Sequence, residues 1–231
     1  MHDRKIDVIN DVKSILEYYQ ALGFDSLPIS PKFPVDSHIE FSAGKNDLLI
    51  NLREEIGDCH RCKLSKGRNN IVIGAGNADA SLMFIGEAPG KEEDIQGEPF
   101  VGEAGMLLTK LIEKMGFKRD SVYIANIIKC RPPMNRDPEE DEIISCRVFL
   151  DRQIDIIAPK IIISLGRIAL QTLMNDDKIK ITAVRGTFFE YKGIPVMPTF
   201  HPAYLLRNPK DKWLTWADVQ KVMERMKNSK I

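Results

Sequence analysis

From about Leu48 onward the chain alternates short apolar runs with stretches of helical periodicity. The runs SLMFIGE (81–87), VYIANIIK (122–129), PKIIISLG (159–166) and IPVMPTFH (194–201) are continuous rather than alternating in polarity, which predicts strands buried on both faces. Helical patterns lie between and after them at 104–115, with Gly116 as a stop, at 138–157 and at 167–174. Strands separated by helices in this order predict an α/β fold, a central mostly parallel four-stranded sheet between two helical layers in an αβα sandwich. The segment TFFEYKGIPV, with Lys192-Gly193 at its turn, predicts a hairpin leading into the last strand. A final helix at 212–227 would pack Trp213, Trp216, Val219, Val222, Met223 and Met226 on the sheet.

Ahead of this domain, Ile6, Ile9, Val12, Ile15, Leu16, Tyr19 and Leu22 fall at helical spacing and Gly23 follows, so residues 1–24 read as an amphipathic helix. Pro28, Pro31 and Pro34 mark residues 25–47 as a linker. The main domain is then 48–231.

In an open parallel sheet, ligands sit beyond the carboxyl ends of the strands. Here those ends carry GEAPG (86–90), Asn126 with KCRPPMNR (129–136), LGR (165–167) and HPAYLLR (201–207). Four polar loops converging on one edge predict an enzyme or a tight ligand binder.

The 33 basic and 33 acidic residues cancel, which excludes a protein that coats nucleic acid by bulk attraction. The cancellation hides an asymmetry. Residues 1–100 hold 11 basic and 17 acidic side chains, and residues 101–231 hold 22 and 16. From 160 to 212 nine basic residues face four acidic ones, so any phosphate-facing surface is local and C-terminal. No apolar run approaches the roughly 18 residues that span a bilayer, and the charged start MHDRKIDVIND is unlike a signal peptide. The expectation is a cytoplasmic monomer without membrane contact.

The four cysteines are Cys59 and Cys62, spaced as C-x2-C, with Cys130 and Cys146 apart from them. The pair can ligate from one tight turn and the two single thiolates complete a tetrahedral set. Zinc and a [4Fe–4S] cluster both accept four thiolates, and spacing does not separate them. His60, within the pair, is a rival ligand or an exposed turn residue.

Three blocks, GEAPGKEEDIQGEPFVGEAG (86–105), ANIIKCRPPMNRDP (125–138) and FHPAYLLR (200–207), together with the cysteines, closely resemble the family 4, iron–sulfur uracil-DNA glycosylases over about 48–227. The resemblance implies a uracil-DNA glycosylase-like αβα domain that removes uracil from single- or double-stranded DNA in base-excision repair. It implies a structural [4Fe–4S] cluster on Cys59, Cys62, Cys130 and Cys146, with zinc less favoured.

It also implies roles. Asn126 reads the uracil edge, because an amide can donate to O4 and accept from N3–H, a pattern cytosine lacks. Phe100 supplies an aromatic platform, Glu93 takes the space of a thymine methyl, and backbone amides of the loop containing Gly86 and Ala88 hold uracil O2 or a phosphate. His201 donates to O2 as charge develops on the leaving base. Ala88 stands where many glycosylases place an aspartate, so Glu87 and Asn135 are the alternatives for positioning water. Arg131, Arg136, Arg185 and Arg207 are expected on DNA, with Leu205 as a wedge. The N-terminal extension is a candidate contact for a repair or replication partner.

Two other readings compete. A uracil-DNA binder that traps its product covalently needs a histidine in an inserted basic loop, and His2, His38, His60 and His201 provide none. A non-catalytic iron–sulfur protein would not need Asn126, His201 and GEAPG on one edge.

Overall fold

The computed structural model describes residues 44–228. The expected N-terminal helix and the linker as far as residue 43 lie outside them. The linker does not run to residue 47, because Lys45 already opens helix α1 (Lys45–Ile56).

Six strands form one sheet: β1 (Ala75–Gly76), β2 (Leu82–Gly86), β3 (Tyr123–Asn126), β4 (Ile161–Leu165), β5 (Phe189–Tyr191) and β6 (Ile194–Thr199), in the order β1-β3-β2-β4-β6-β5. The four apolar runs are its parallel centre. β1 and β5 close the two edges in antiparallel fashion, β5 through the expected hairpin. Every residue of β2 and β4 is buried, as continuous apolar runs require of strands covered on both sides.

Alternate side chains feed two cores. Met83, Ile85, Ala125 and Ile162 meet Leu150, Ile154 and Ile157 of α4 (Glu140–Ile157) and Ala169 and Leu173 of α5 (Arg167–Met174). On the other face, Phe84, Ile124 and Ile163 meet Leu108 and Ile112 of α3 (Glu103–Lys114) and Val219 and Val222 of α8 (Lys212–Asn228). Three short helices complete the description: α2 (Lys91–Gln96), α6 (Ile181–Val184) and α7 (Pro202–Arg207). Among the described residues no helix is long and apolar enough to cross a membrane.

Register aligns the strand ends. Gly86 of β2 pairs with Asn126 of β3, and Leu165 of β4 with Thr199 of β6. The chain passes from β2 to β3 on one side and from β4 to β6 on the other, so a topological switch point opens between β2 and β4.

Candidate active site

A cavity of about 380 Å³ opens at those strand ends. Its walls include Glu87, Ala88, Glu93, Phe100, Asn126, Asn135, Arg136, His201 and Arg207, so nine residues drawn from three separated motifs meet in one place.

Asn126 is 1% exposed, and its Oδ1 is a buried acceptor with no hydrogen-bond partner among the described residues. Leaving such an atom unpaired costs about 1–3 kcal/mol, so the site is built to receive a donor. The backbone carbonyl of Asn126 is fixed from below by Lys129, whose Nζ donates to it at 2.9 Å and to Gln153 Oε1 at 2.6 Å. Lys129 is itself 1% exposed, and burial brings its ammonium down to about 8.

Phe100 is buried beside Asn126 with a left-handed backbone, φ 54°. Its ring lies 5.6 Å from that of His201, tilted by 35°. Two glycines make this possible. A Cβ on Gly86 would fall against Asn126 Oδ1 and 2.5 Å from Phe100 Cζ, and one on Gly105 would overlap the Phe100 carbonyl.

Glu93 braces the same region. Its Oε1 accepts from the amides of Val101 (2.9 Å) and Gly102 (3.0 Å), and its Oε2 from Gly90 (3.1 Å). Glu93 stands in the cavity wall, where a thymine methyl would have to be excluded. The carboxylate lines the cavity but its oxygens are engaged by three backbone donors that pin the Phe100 turn to the GEAPG loop.

His201 caps α7, and its Nδ1 accepts from the Ala203 amide at 3.1 Å. An amide can only donate, so the neutral ring carries its proton on Nε2. Burial, with Arg207 adding to it, lowers the imidazole to about 4, and Glu93 opposes the shift. His201 is therefore a neutral donor at physiological pH. Glu87 is shifted the other way: burial first, and Asp137 second, raise its carboxyl to about 7 against the pull of Arg167. Asn135 accepts at Oδ1 from Arg131 Nε at 2.7 Å. Arg131 thus supports the cavity wall rather than lining it. Gly86 likewise lies beneath the wall.

Arg136 reaches the cavity while its guanidinium grips Glu142 at 2.9 and 2.6 Å. Arg207 is exposed at the rim. Two expected DNA contacts are corrected. Arg185 pairs with the buried Asp218 and donates to the Leu214 carbonyl, so its charge is used inside the fold, between α6 and α8. Leu205 is 4% exposed and packs with α3 and Phe200, and Leu206, at 37%, is the outward leucine of the pair. Sequence reasoning missed Pro132, Asp137 and Tyr204, which also line the cavity. Asp137 had a signal, an ionisable neighbour two residues past Asn135.

All four cysteines line a second, small cavity with Arg61, Arg68, Lys129 and Phe149. Three N–H groups approach the sulfurs: Lys129 N to Cys146 Sγ at 3.2 Å, Arg61 Nη1 to Cys59 Sγ at 3.4 Å and Arg68 Nη1 to Cys130 Sγ at 3.6 Å. Burial pushes the Cys130 thiol up to about 12, so a bound metal would be needed to hold it as thiolate at neutral pH. Among the described residues no three Cys, His, Asp or Glu side chains converge on a single ion. His60 lies outside the set, 3.0 Å from Asp58 Oδ2 on the surface.

The switch-point cavity, with a buried amide, a buried aromatic ring and a neutral histidine on its walls, lies within a stretch of chain that matches a known class. Residues 73–224 match the Uracil DNA glycosylase superfamily, and the chain is a member of it. Within that superfamily it is similar to the Type-4 uracil-DNA glycosylase of Sulfurisphaera tokodaii, 48% identical over 186 residues that span 77% of this chain and 84% of the relative. The enzymes of the same name from Saccharolobus solfataricus (49% identical, 80% of this chain and 89% of the relative) and Thermotoga maritima (47%, 71% and 86%) are comparably similar. The chain belongs to the type-4 uracil-DNA glycosylases.

Proposed function

We propose that this enzyme flips uracil out of DNA into the switch-point cavity and hydrolyses its N-glycosidic bond, leaving an abasic site for base-excision repair. The observation that carries the reading is the buried Oδ1 of Asn126, unpartnered among the described residues, in a cavity that the buried Phe100 also lines. Uracil N3–H is the donor it awaits. Cytosine offers a bare N3 there and would leave the acceptor unpaired, at a cost of roughly 1–3 kcal/mol.

With the base stacked on Phe100, the C1′–N1 bond breaks and its electron pair passes to uracil. His201 Nε2–H meets the charge that develops on O2. A neutral donor suits this step because it needs no reorganisation as the oxyanion forms. Water adds to C1′ and its proton passes to the Glu87 carboxylate, which is available for a large share of the time near neutral pH. Asn135, fixed by Arg131, orients that water. Arg207 and Arg136 offer positive charge to the flanking phosphates.

The donor set fits a [4Fe–4S] cluster on Cys59, Cys62, Cys130 and Cys146. All four sulfurs line one small cavity, and N–H groups of Lys129, Arg61 and Arg68 approach Cys146, Cys59 and Cys130, a setting that would support cluster-bound thiolates. When bound, the cluster supplies metal–thiolate cross-links between the α1 exit loop, the loop after β3 and α4.

The test is product analysis. Incubation with a uracil-containing oligonucleotide should release free uracil and alkali-labile sites in equal amounts. Tight binding without release would place the protein among non-catalytic binders.

A further inference from the structure

We propose that Met134 is the apolar wedge that enters the base stack of duplex DNA when the target nucleotide leaves it. The inference rests on the glycosylase reading of the neighbouring cavity.

Met134 sits in the 3₁₀ turn Pro133–Asn135 and is 93% exposed, more than any other large hydrophobic side chain among the described residues. Its backbone is left-handed, φ 56° and ψ 18°, and Asn135 follows at φ 53°. L side chains rarely adopt this region, and a methionine there is strained. The surroundings enforce that conformation. Pro132 and Pro133 fix their own φ angles. Asn135 N donates to the Pro132 carbonyl and Arg136 N to the Pro133 carbonyl, both at 3.1 Å. Arg131 clamps the Asn135 side chain, and the fully buried Glu142 holds Arg136.

A braced, strained turn that presents an unbranched apolar side chain to water gains nothing in the free protein. It gains when base faces cover the side chain, and thioethers adapt well to flat, irregular apolar surfaces. Pro132, Asn135, Arg136 and Asp137 line the cavity, so the tip stands at its mouth, where an extruded nucleotide leaves a gap. Apolar side chains inserted between base steps offset part of the unstacking cost in other DNA-distorting proteins. Leu205 is unavailable for this task because it is buried. A single strand has no opposing stack to hold open, so the wedge acts on duplex substrates.

Met134→Gly removes the side chain and suits the left-handed backbone, so folding is retained. Single-turnover excision would be measured on a uracil-containing duplex and on the same strand alone, at one salt concentration. The expected result is a duplex-to-single-strand rate ratio lowered about tenfold and restored by Met134→Leu. An unchanged ratio, whether both rates hold or both fall, overturns the proposal. So does a ratio lowered by Leu206→Ala instead, or a wild-type protein that acts on single strands alone. Failure of the wild type to release uracil from either substrate overturns the glycosylase reading instead.

Discussion

Gly86 measures how tightly the base pocket is built. A methyl group there would meet both the amide oxygen of Asn126 and the ring of Phe100, two parts of the pocket that cannot both yield. Gly86→Ala should therefore lower excision by about 100-fold or more, following displacement of the Asn126 amide and the Phe100 ring, as single-turnover rates would record. A second prediction follows from Glu87. Burial raises its carboxyl to about 7, and the proposed proton acceptor is its deprotonated form, so the rate should climb as pH rises through about 7. Asp137→Asn removes a neighbouring negative charge, lowers the Glu87 pKa and should shift that limb to lower pH. His201, neutral above about 4, should not add an acid limb above pH 5. A pH–rate profile of both proteins checks these directions. At this scale the sequence was legible where side-chain type dictates chemistry, as for Asn126 and His201. It was not where backbone decides. Glu93 reads as an acid facing the base, yet it meets three amides that only the folded turn assembles.

Among the elements, the long apolar strands and the helices α3, α4, α5 and α8 fell within a few residues of their expected bounds, because each buries a full face on the sheet. Apart from the twelve-residue α1, which the sequence reading left partly in the linker and otherwise unassigned, the elements not foreseen are small. β1 has two residues and exists by pairing with β3, and α2 has six and stands on its Glu93 cap. α7 carried a readable sign, Pro202 at its first position after the capping His201, within a segment otherwise read as a loop. Arg185 was read as part of a basic surface, but charge counting cannot see Asp218 thirty-three residues later. The pair ties the α6 exit to α8, and Thr199 of β6 donates to the same carboxylate at 2.7 Å. Arg185→Ala should destabilise the fold by about 3–5 kcal/mol, since Asp218 would be left charged and buried. Urea denaturation of the variant checks this, and a change confined to DNA affinity would contradict the assignment.

For the whole molecule, formal neutrality hides a division of labour. The acidic N-terminal portion supplies Cys59, Cys62 and the GEAPG loop, and the basic C-terminal portion supplies His201 and Arg207. Lys129 joins the two cavities, its amide on Cys146 and its ammonium on the carbonyl of Asn126. These bonds link the cysteine site to the residue proposed to read the base. Reading the uracil edge is the role proposed for Asn126. Its most direct test is single-turnover excision by wild type and Asn126→Ala on one uracil-containing single strand, with circular dichroism confirming the fold of both. Alkali-labile sites are expected at every uracil with the wild type, and a loss of about 100-fold to 1,000-fold in the variant. A variant that keeps the full rate, or a wild type that leaves uracil in place, would contradict it.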